Sequence, residues 1–309
     1  MNEKQMMVVR NLFAAHGNTE EPVRLSGGWT NHVFAAGDMV LRCTEDMQSG
    51  RLLRETQLAG VLPPQVGYPE IIDSGCTENL IWTLCRRIPG MNLEDAWGAM
   101  TWDERADALE QLWARMQKVH ELDAEMARPF VNEHLWYFTA IENALNEIEF
   151  LREKGIVRQD ESDVLKGYIH RFANALKQTK LVPVHGDLTP ANAMWCDGRI
   201  AALMDFECAA IAPKEADLMM LLNTAYERLD LPTAAPDPAA ERRFNDRMLR
   251  LVRDADPDWD ILQGYRGIKL MHHVFMDMDD DDFSPEHEEL VCLRAFIQDG
   301  RGRFDSVLP

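Results

Sequence analysis

One stretch, Val182 to Glu207, limits what this chain can fold into more than any other; it reads VPVHGDLTPANAMWCDGRIAALMDFE. Within it lie four side chains that can bind a metal or transfer a proton, namely His185, Asp187, Asn192 and Asp205. Asp197-Gly198 is a signal for a two-residue hairpin turn, and Asn192 and Asp205 lie at nearly equal distances from it. Residues equidistant from a tight turn face each other across a hairpin. The sequence therefore predicts that Asn192 and Asp205 lie close together.

An amide oxygen beside a carboxylate is a pair of hard oxygen ligands, which suits Mg²⁺. Asp187, on the preceding loop, would lie near such an ion and still accept a proton. This is the layout of phosphoryl transfer, in which one Asp serves the acceptor hydroxyl while an Asn and a later Asp hold the metal. Two other readings stay open at this point: a metal-dependent hydrolase with His185, Asp187 and Asp205 as ligands, and ordinary loop and turn chemistry, for which Asp and Asn are equally suited.

The chain is strongly acidic, with a formal net charge of −20 at pH 7. Such a field repels nucleic acid and anionic membranes and attracts cationic ligands, so neither nucleic acid nor membrane is an expected partner. The charge also suits a surface selected for solubility. The acidic residues are densest between 277 and 305, including the run Asp279–Asp282.

The sequence predicts a cytoplasmic protein. Its first residues lack the apolar segment and cleavage site of a secretory signal, and no run of about 18 apolar residues predicts a membrane span. Six scattered cysteines without a C-x-x-C pair indicate free thiols in a reducing compartment.

The pattern of the chain changes near residue 88. Before it, strands are predicted at 23–26, on both sides of Gly37-Asp38, at 70–73 and at 80–84, with one helix near 51–62 after the third strand. After it, long helices are predicted at 101–120, 135–153, 160–178, 214–229, 239–254, 258–278 and 285–297, the last with Ser284 as its cap. The prediction is an α+β chain: a small antiparallel β-rich N-lobe with its hinge at 1–88, and a larger, mainly helical C-lobe at 89–309.

The motif HGDLTPAN…MDFE…DL resembles the aminoglycoside phosphotransferase and choline kinase-like superfamily, small-molecule relatives of the protein kinases. His185-Gly186-Asp187 stands where protein kinases carry His-Arg-Asp, and Asp205-Phe206-Glu207 stands where they carry Asp-Phe-Gly. The resemblance implies a two-lobed protein-kinase-like fold. About ten residues separate Phe206 from Asp217, too few for a phosphorylation-controlled activation loop, which disfavours a protein kinase.

The resemblance also implies a nucleotide site in the N-lobe. SGGWTNHVF would be the loop over the phosphates, with Asn31 and His32 as its polar tips, and LCRRIPG would be the hinge that holds the purine. Arg42 stands where the family usually has lysine, and no lysine lies between Lys4 and Lys118 to replace it. The implied nucleotide contacts are Gly27, Gly28, Asn31, Arg42 with its partner Glu55, Cys85 and Arg86.

In the C-lobe the resemblance implies Asp187 as the catalytic base and Asn192 and Asp205 as ligands of Mg²⁺. His185 would hydrogen-bond to backbone near the Asp205 strand, and Asp217 would brace the catalytic loop and cap its helix. Glu207 would either contact the substrate or be solvated.

The expected activity is ATP- or GTP-dependent transfer of the γ-phosphoryl group to a hydroxyl of a small cationic molecule, by a monomer or homodimer. An aminoglycoside or another amine-bearing antibiotic is the first expected acceptor, as for a resistance kinase. A metabolic amino sugar, amino alcohol or homoserine-like acceptor is the close alternative. A catalytically silent kinase-fold scaffold is an alternative of another class.

Overall fold

The computed structural model describes residues 3–25, 31–135, 140–227, 237–278 and 283–299. The predicted acidic run 279–282 and the aromatic residues 136–138, expected within a long helix, lie outside these ranges. No helix in the described ranges is both long enough and apolar enough to cross a bilayer.

The N-lobe is a five-stranded antiparallel sheet with the strand order β1-β2-β3-β5-β4. Its elements are α1 (Glu3–Ala15), β1 (Val23–Arg24), β2 (His32–Ala36), β3 (Met39–Thr44), α2 (Arg51–Ala59), β4 (Ile71–Cys76) and β5 (Ile81–Arg86). Ala36 pairs with Met39, so the predicted two-residue turn at Gly37-Asp38 is present. The helix inserted after the third strand is α2, also as predicted. A small core between α1 and the sheet holds the lobe together.

The C-lobe is mainly helical. Its elements are β6 (Met91–Asn92), α3 (Leu93–Trp97), α4 (Trp102–His120), α5 (Ala124–Ala127), α6 (Ile141–Glu153), α7 (Gln159–Ala175), β7 (Val182–Val184), β8 (Ala193–Cys196), β9 (Arg199–Leu203), β10 (Ala210–Ala212), α8 (Glu215–Glu227), α9 (Pro238–Ala255), α10 (Trp259–Asp277) and α11 (Glu288–Asp299). β7 pairs with β10, and β6, β8 and β9 form a second small sheet. The predicted capping box of Thr101 and Glu104 begins α4.

Two predicted helix starts are wrong. The helix predicted from Leu135 begins at Ile141, because Leu135 and Ala140 have no helical backbone and no side chain caps the start. The helix predicted from Pro285 begins at Glu288, because His287 N donates to Ser284 O (3.0 Å) and closes a turn first. Proline lacks an N–H, which suits a turn as well as a first helical residue.

The β8–β9 hairpin brings the ends of the motif together. Its strands pair on both sides of the predicted turn Asp197-Gly198, and a β-bulge at Met194–Trp195 shifts the register. Beyond the bulge, Met204 N donates to Asn192 O (2.8 Å). Asn192 therefore lies opposite Met204, and Asp205 follows one residue later at the same end of the ladder. Asn192 and Asp205, which were predicted to face each other, are therefore offset by one residue along the hairpin.

The packing of α7 against α10 leaves no room for a side chain at Gly264. A Cβ added there would lie 2.4 Å from ring carbons of Phe172, which is fully buried. Close packing of a buried aromatic ring resists such an intrusion.

We therefore expect Gly264→Ala to lower the free energy of unfolding by about 1–3 kcal/mol, the usual range for overpacking. Gly98→Ala is the matched control, since a Cβ there meets no atom within 4 Å and the backbone has φ −63°. Urea unfolding of both variants checks the prediction. Equal stability of the two would contradict the packing argument.

Candidate active site

Asp217 braces the loop that follows β7. Its Oδ2 accepts from His185 N (3.0 Å) and its Oδ1 accepts from Gly186 N (3.0 Å). The ring Nε2 of His120 donates to Oδ2 as well (2.9 Å). Asp217 is fully buried in the first turn of α8. The contacts expected of the brace are therefore present.

His185 makes the hydrogen bond that the sequence analysis expected. Its Nε2 lies 2.9 Å from Met204 O, and Asp187 N donates to its Nδ1 (3.3 Å). A carbonyl oxygen only accepts, so Nε2 carries the proton and Nδ1 is the acceptor. Both ring nitrogens are thus engaged with backbone, which leaves neither available as a metal ligand. This geometry removes the basis of the hydrolase reading.

Gly186 has a physical reason to be glycine. Its φ is +78°, and a Cβ there would lie 2.3 Å from Cys208 O. The sequence analysis treated Gly186 only as a family marker. The structure shows that the loop touches the backbone of the segment after Asp205, so any side chain would force the two apart.

Asp187 and Asn192 form a pair at the start of the hairpin. Asn192 Nδ2 donates to Asp187 O (2.7 Å) and to Asp187 Oδ2 (3.0 Å). Burial raises the pKa of Asp187 above its ordinary value and Asp205 adds to the rise, whereas His185 and the bond from Asn192 oppose it. Because its amide nitrogen is committed to Asp187, Asn192 has its amide oxygen left as a ligand atom.

Arg42, on β3, joins three carboxylates. Nη1 donates to Glu55 Oε1 (2.8 Å) and Oε2 (2.7 Å), which is the predicted pair. Nη2 donates to Asp205 Oδ1 and Glu207 Oε1, both at 2.9 Å. Burial lowers the pKa of Arg42, but the surrounding carboxylates outweigh it and raise the pKa overall, so the guanidinium stays charged. One side chain thereby connects β3, α2 and the hairpin end.

Glu55 continues this network from α2. Its Oε1 also accepts from Tyr68 Oη (2.9 Å) and from Phe206 N (3.0 Å). Phe206 follows Asp205, whose φ of +63° is unusual for a residue other than glycine. The position of α2 is thus tied directly to the backbone that carries Asp205.

The expectation of a solvated Glu207 is wrong. Its side chain is 6% exposed, and it accepts from Arg42 Nη2 and from Asn31 Nδ2. Burial raises the pKa of Glu207 to about 7. The prediction of Asn31 and His32 as loop tips is also wrong, because Asn31 is buried and His32 is the first residue of β2. Gly27 and Gly28 lie outside the described residues.

The predicted hinge begins later than expected, because β5 continues through Arg86. Cys85 is buried in the sheet between β3 and β4. Arg86 N donates to Glu70 O (2.9 Å), and Arg86 Nη1 donates to Asp38 (2.6 Å). These groups are engaged within the N-lobe. The connector between the lobes is the segment 87–90.

Asn132 is a residue that the sequence analysis missed. Its Nδ2 donates to Glu207 O and Ala209 O, and its Oδ1 accepts from Arg54 Nη2 (2.9 Å) on α2. It is one asparagine in an irregular segment, and nothing in its sequence neighbourhood distinguishes it. It gives α2 a second contact with the segment after Asp205.

The site has oxygen ligands suitable for a hard divalent cation. Oxygens of Glu55, Asp205 and Glu207 lie within 4.8 Å of one another, but all three carboxylates already accept hydrogen bonds from Arg42. The better match to Mg²⁺ is the Asn192 amide oxygen with the Asp205 carboxylate, which is 40% exposed.

We expect Asp217→Asn to lower the free energy of unfolding by about 1–3 kcal/mol. An amide has only one acceptor oxygen, so in either orientation its NH₂ would face the N–H of His185 or Gly186, which leaves buried donors unsatisfied. Asp163→Asn is the matched control, because that side chain is exposed and accepts a hydrogen bond from the side-chain amide of Gln159 (2.9 Å), which can also be replaced by water. Urea unfolding checks this. A loss no larger than that of the control would contradict the role of Asp217 as brace.

Comparisons with known proteins identify the family and the fold. Residues 21–265 match the profile of the phosphotransferase enzyme family (APH). A search of proteins with curated functions finds no match. Several solved structures share the fold. Aminoglycoside 2'-phosphotransferase-IIIa in its GDP complex is 18% identical, with a TM-score of 0.66 over 97% of this chain and 100% of that chain.

Two further structures extend the comparison. A thermostable mutant of aminoglycoside phosphotransferase APH(4)-Ia, in a ternary complex with AMP-PNP and hygromycin B, is 17% identical, with a TM-score of 0.63 over 95% of this chain and 99% of that chain. APH(3'')-Id from Streptomyces rimosus is 20% identical, with a TM-score of 0.57 over 88% and 99%. The predicted family resemblance and the predicted two-lobed α+β fold are confirmed. The chain belongs to the phosphotransferase enzyme family and is a phosphotransferase that acts on a hydroxyl acceptor.

Proposed function

We propose that this protein transfers the γ-phosphoryl group of ATP or GTP to a hydroxyl of a small, cationic molecule. One observation carries the proposal: Asn192 binds the carboxylate of Asp187, while Arg42 joins Glu55 to Asp205 and Glu207 beside it. An acceptor base and a phosphate-binding cation thus belong to neighbouring parts of one network. Phosphoryl transfer depends mainly on such positioning and on charge stabilisation.

Asp187 is the proposed catalytic residue. It aligns the acceptor hydroxyl and takes its proton as the phosphoryl group is transferred. His185 and Asp217 hold its loop through backbone hydrogen bonds. The raised pKa of Asp187 brings this carboxylate closer to the range in which a base is effective.

The nucleotide lies between the lobes in this proposal. Arg42, held by Glu55, meets its phosphates, and the loop with Gly27, Gly28 and Asn31 covers them. Cys85 and Arg86 line the end of the purine site, while the purine's backbone partners come from the segment 88–90. Support for this division is that the N–H groups of Arg86 and Arg87 are already bound to Glu70 O and Asp38 O.

Mg²⁺ is the proposed cofactor, with Asn192 and Asp205 as its protein ligands. When bound, it neutralises charge on the phosphate oxygens. The support is the chemistry of the donors, an amide oxygen and a carboxylate at the same end of the β8–β9 hairpin.

An aminoglycoside or another amine-bearing antibiotic is the first proposed acceptor, with a role in resistance. The net charge of −20 favours a cation. Related structures were solved with kanamycin and with hygromycin B. The cytoplasmic location and the monomeric or homodimeric state stay predictions from the sequence.

A second acceptor class is favoured by Lys269 on α10. This lysine is 8% exposed, and its positive charge is one of the groups that oppose the rise which burial gives the pKa of Asp187, so a positive charge lies near the proposed base. A buried cation beside the acceptor hydroxyl suits an acceptor that also carries a carboxylate. This observation supports a homoserine-like metabolic acceptor over other metabolic amino alcohols and amino sugars. The intact set of Asp187, Asn192 and Asp205 disfavours a silent scaffold.

The test is a panel of aminoglycosides, other hydroxylated amines and homoserine, monitored for release of ADP from ATP and GDP from GTP. For the acceptor that responds, Asp187→Asn should lower kcat by at least about 100-fold, the usual contribution of a positioned base. Calorimetry should show unchanged nucleotide binding in this variant. Asp197→Asn is the matched control, since asparagine tolerates the positive φ of that turn residue.

Two outcomes would contradict the proposal. Turnover by Asp187→Asn close to that of the unsubstituted protein would remove Asp187 from the chemistry. Nucleotide binding without release of either diphosphate for any member of the panel would favour the scaffold.

Lys269→Met separates the two acceptor classes. Loss of the buried charge should raise the KM of a carboxylated acceptor but not that of an aminoglycoside, because only the carboxylate needs a cationic partner, whereas a cationic acceptor is repelled by the lysine. Steady-state kinetics with the responding acceptor measures this. An unchanged KM for homoserine would contradict the carboxylate-binding role.

A further inference from the structure

We propose that Glu207 is a positioning residue: together with Glu55 it fixes the plane of the Arg42 guanidinium against the nucleotide phosphates. This inference rests on the proposed role of Arg42 in nucleotide binding. It assigns to Glu207 a task within the N-lobe phosphate site rather than at the acceptor.

Both terminal nitrogens of Arg42 donate to carboxylates in the structure. Nη1 donates to both oxygens of Glu55, and Nη2 donates to Asp205 and Glu207. A guanidinium carries its donors in a rigid planar fork. Fixing both terminal nitrogens therefore fixes the orientation of the whole group.

The contacts of Arg42 differ in how easily they are exchanged. The side chain of Asp205 is 40% exposed, whereas those of Glu207 and Glu55 are 6% and 1% exposed. A phosphate oxygen arriving from solvent meets Asp205 first and can take over its contact with Nη2. Nη1 keeps its contact with Glu55 and Nη2 keeps its contact with Glu207, so the fork does not rotate when the exchange occurs.

The side chain of Glu207 is itself held by a residue of the N-lobe. Asn31 Nδ2 donates to the same Oε1 that accepts from Arg42. Asn31 belongs to the predicted phosphate loop SGGWTNHVF and directly precedes β2, while the backbone oxygen of Glu207 accepts from Asn132 Nδ2 (2.6 Å). Glu207 therefore links Arg42 to the residue at the base of that loop and to the segment after Asp205.

This arrangement also explains why arginine stands at position 42. A lysine ammonium is a single point charge and cannot hold Glu55 with one nitrogen while a second nitrogen contacts Glu207. Arginine gains an advantage over lysine only if the second carboxylate is present. The two residues should therefore be energetically coupled.

A double-mutant cycle in nucleotide binding tests the proposal without an acceptor. The dissociation constant of Mg²⁺–AMP-PNP is measured by calorimetry for the unsubstituted protein, Arg42→Lys, Glu207→Gln and the double variant. We expect Arg42→Lys to weaken binding about tenfold when Glu207 is present and less than about twofold when it is glutamine, within the usual range of coupling between contacting residues. The prediction concerns this ratio, so the effect of removing one negative charge from the site cancels.

Glu110→Gln is the matched control. Glu110, on α4, also accepts from an arginine, Arg247 (2.6 Å), and undergoes the same chemical change far from Arg42 in the sequence. In the Glu110→Gln background, Arg42→Lys should weaken nucleotide binding by the same factor as in the unsubstituted protein. A purely structural role for Glu207 would lower the Tm of its variants without changing the ratio between arginine and lysine.

If Arg42→Lys weakens nucleotide binding by the same factor whether residue 207 is glutamate or glutamine, the proposed role of Glu207 is overturned, while the nucleotide site itself stands. If the unsubstituted protein does not bind Mg²⁺–AMP-PNP, the cycle is measured with Mg²⁺–GMP-PNP, and binding of neither would overturn the nucleotide site and this role with it. If thermal unfolding shows that Glu207→Gln is not folded, Glu207→Asp replaces it, because it keeps the charge and withdraws the carboxylate by one methylene. The cycle should then show a coupling of at least about threefold in the dissociation constant. The absence of any coupling would overturn the proposal.

Discussion

The Arg42 guanidinium is the interaction on which the rest of the site depends. It lies among three carboxylates that come from α2 and from the segment after β9. Buried carboxylates are costly unless a cation satisfies them. Removing that charge would leave the buried carboxylates of Glu55 and Glu207 without this counter-ion, so the sheet, α2 and the hairpin end are held in one arrangement by a shared electrostatic requirement.

A second constraint comes from backbone geometry in the motif. Asp217 satisfies the N–H groups of His185 and Gly186, and His185 donates to Met204 O. These contacts connect the loop after β7 to the end of β9 through buried polar groups. Satisfied networks of this kind favour a single arrangement, because any displacement exposes an unpaired donor. Asp187 thus has a fixed position although it lies in a loop.

Much of this could be predicted from the sequence because the signals are local. The turns at Gly37-Asp38 and Asp197-Gly198 and the cap at Thr101 follow from residue type and spacing, whereas the Arg42–Glu55 pair was implied by the family resemblance. What was missed depends on distant contacts. The buried state of Glu207, the role of Asn132 and the bulge that shifts Asn192 against Asp205 are set by tertiary packing, which no spacing encodes. The predicted starts of α6 and α11 were too early, because the apolar pattern before α6 and the proline before α11 also occur outside a helix.

Gly186 has a consequence for how this kind of protein can change. Where protein kinases have His-Arg-Asp, this chain has no space for even a methyl group, because the Cys208 carbonyl occupies it. Arginine clusters that capture a phosphorylated segment are a common way to switch kinases on. Acquiring such an arginine here would require the loop and the segment at Cys208 to separate at the same time. A single substitution cannot do that. Control by phosphorylation through an arginine at position 186 would therefore require several simultaneous changes.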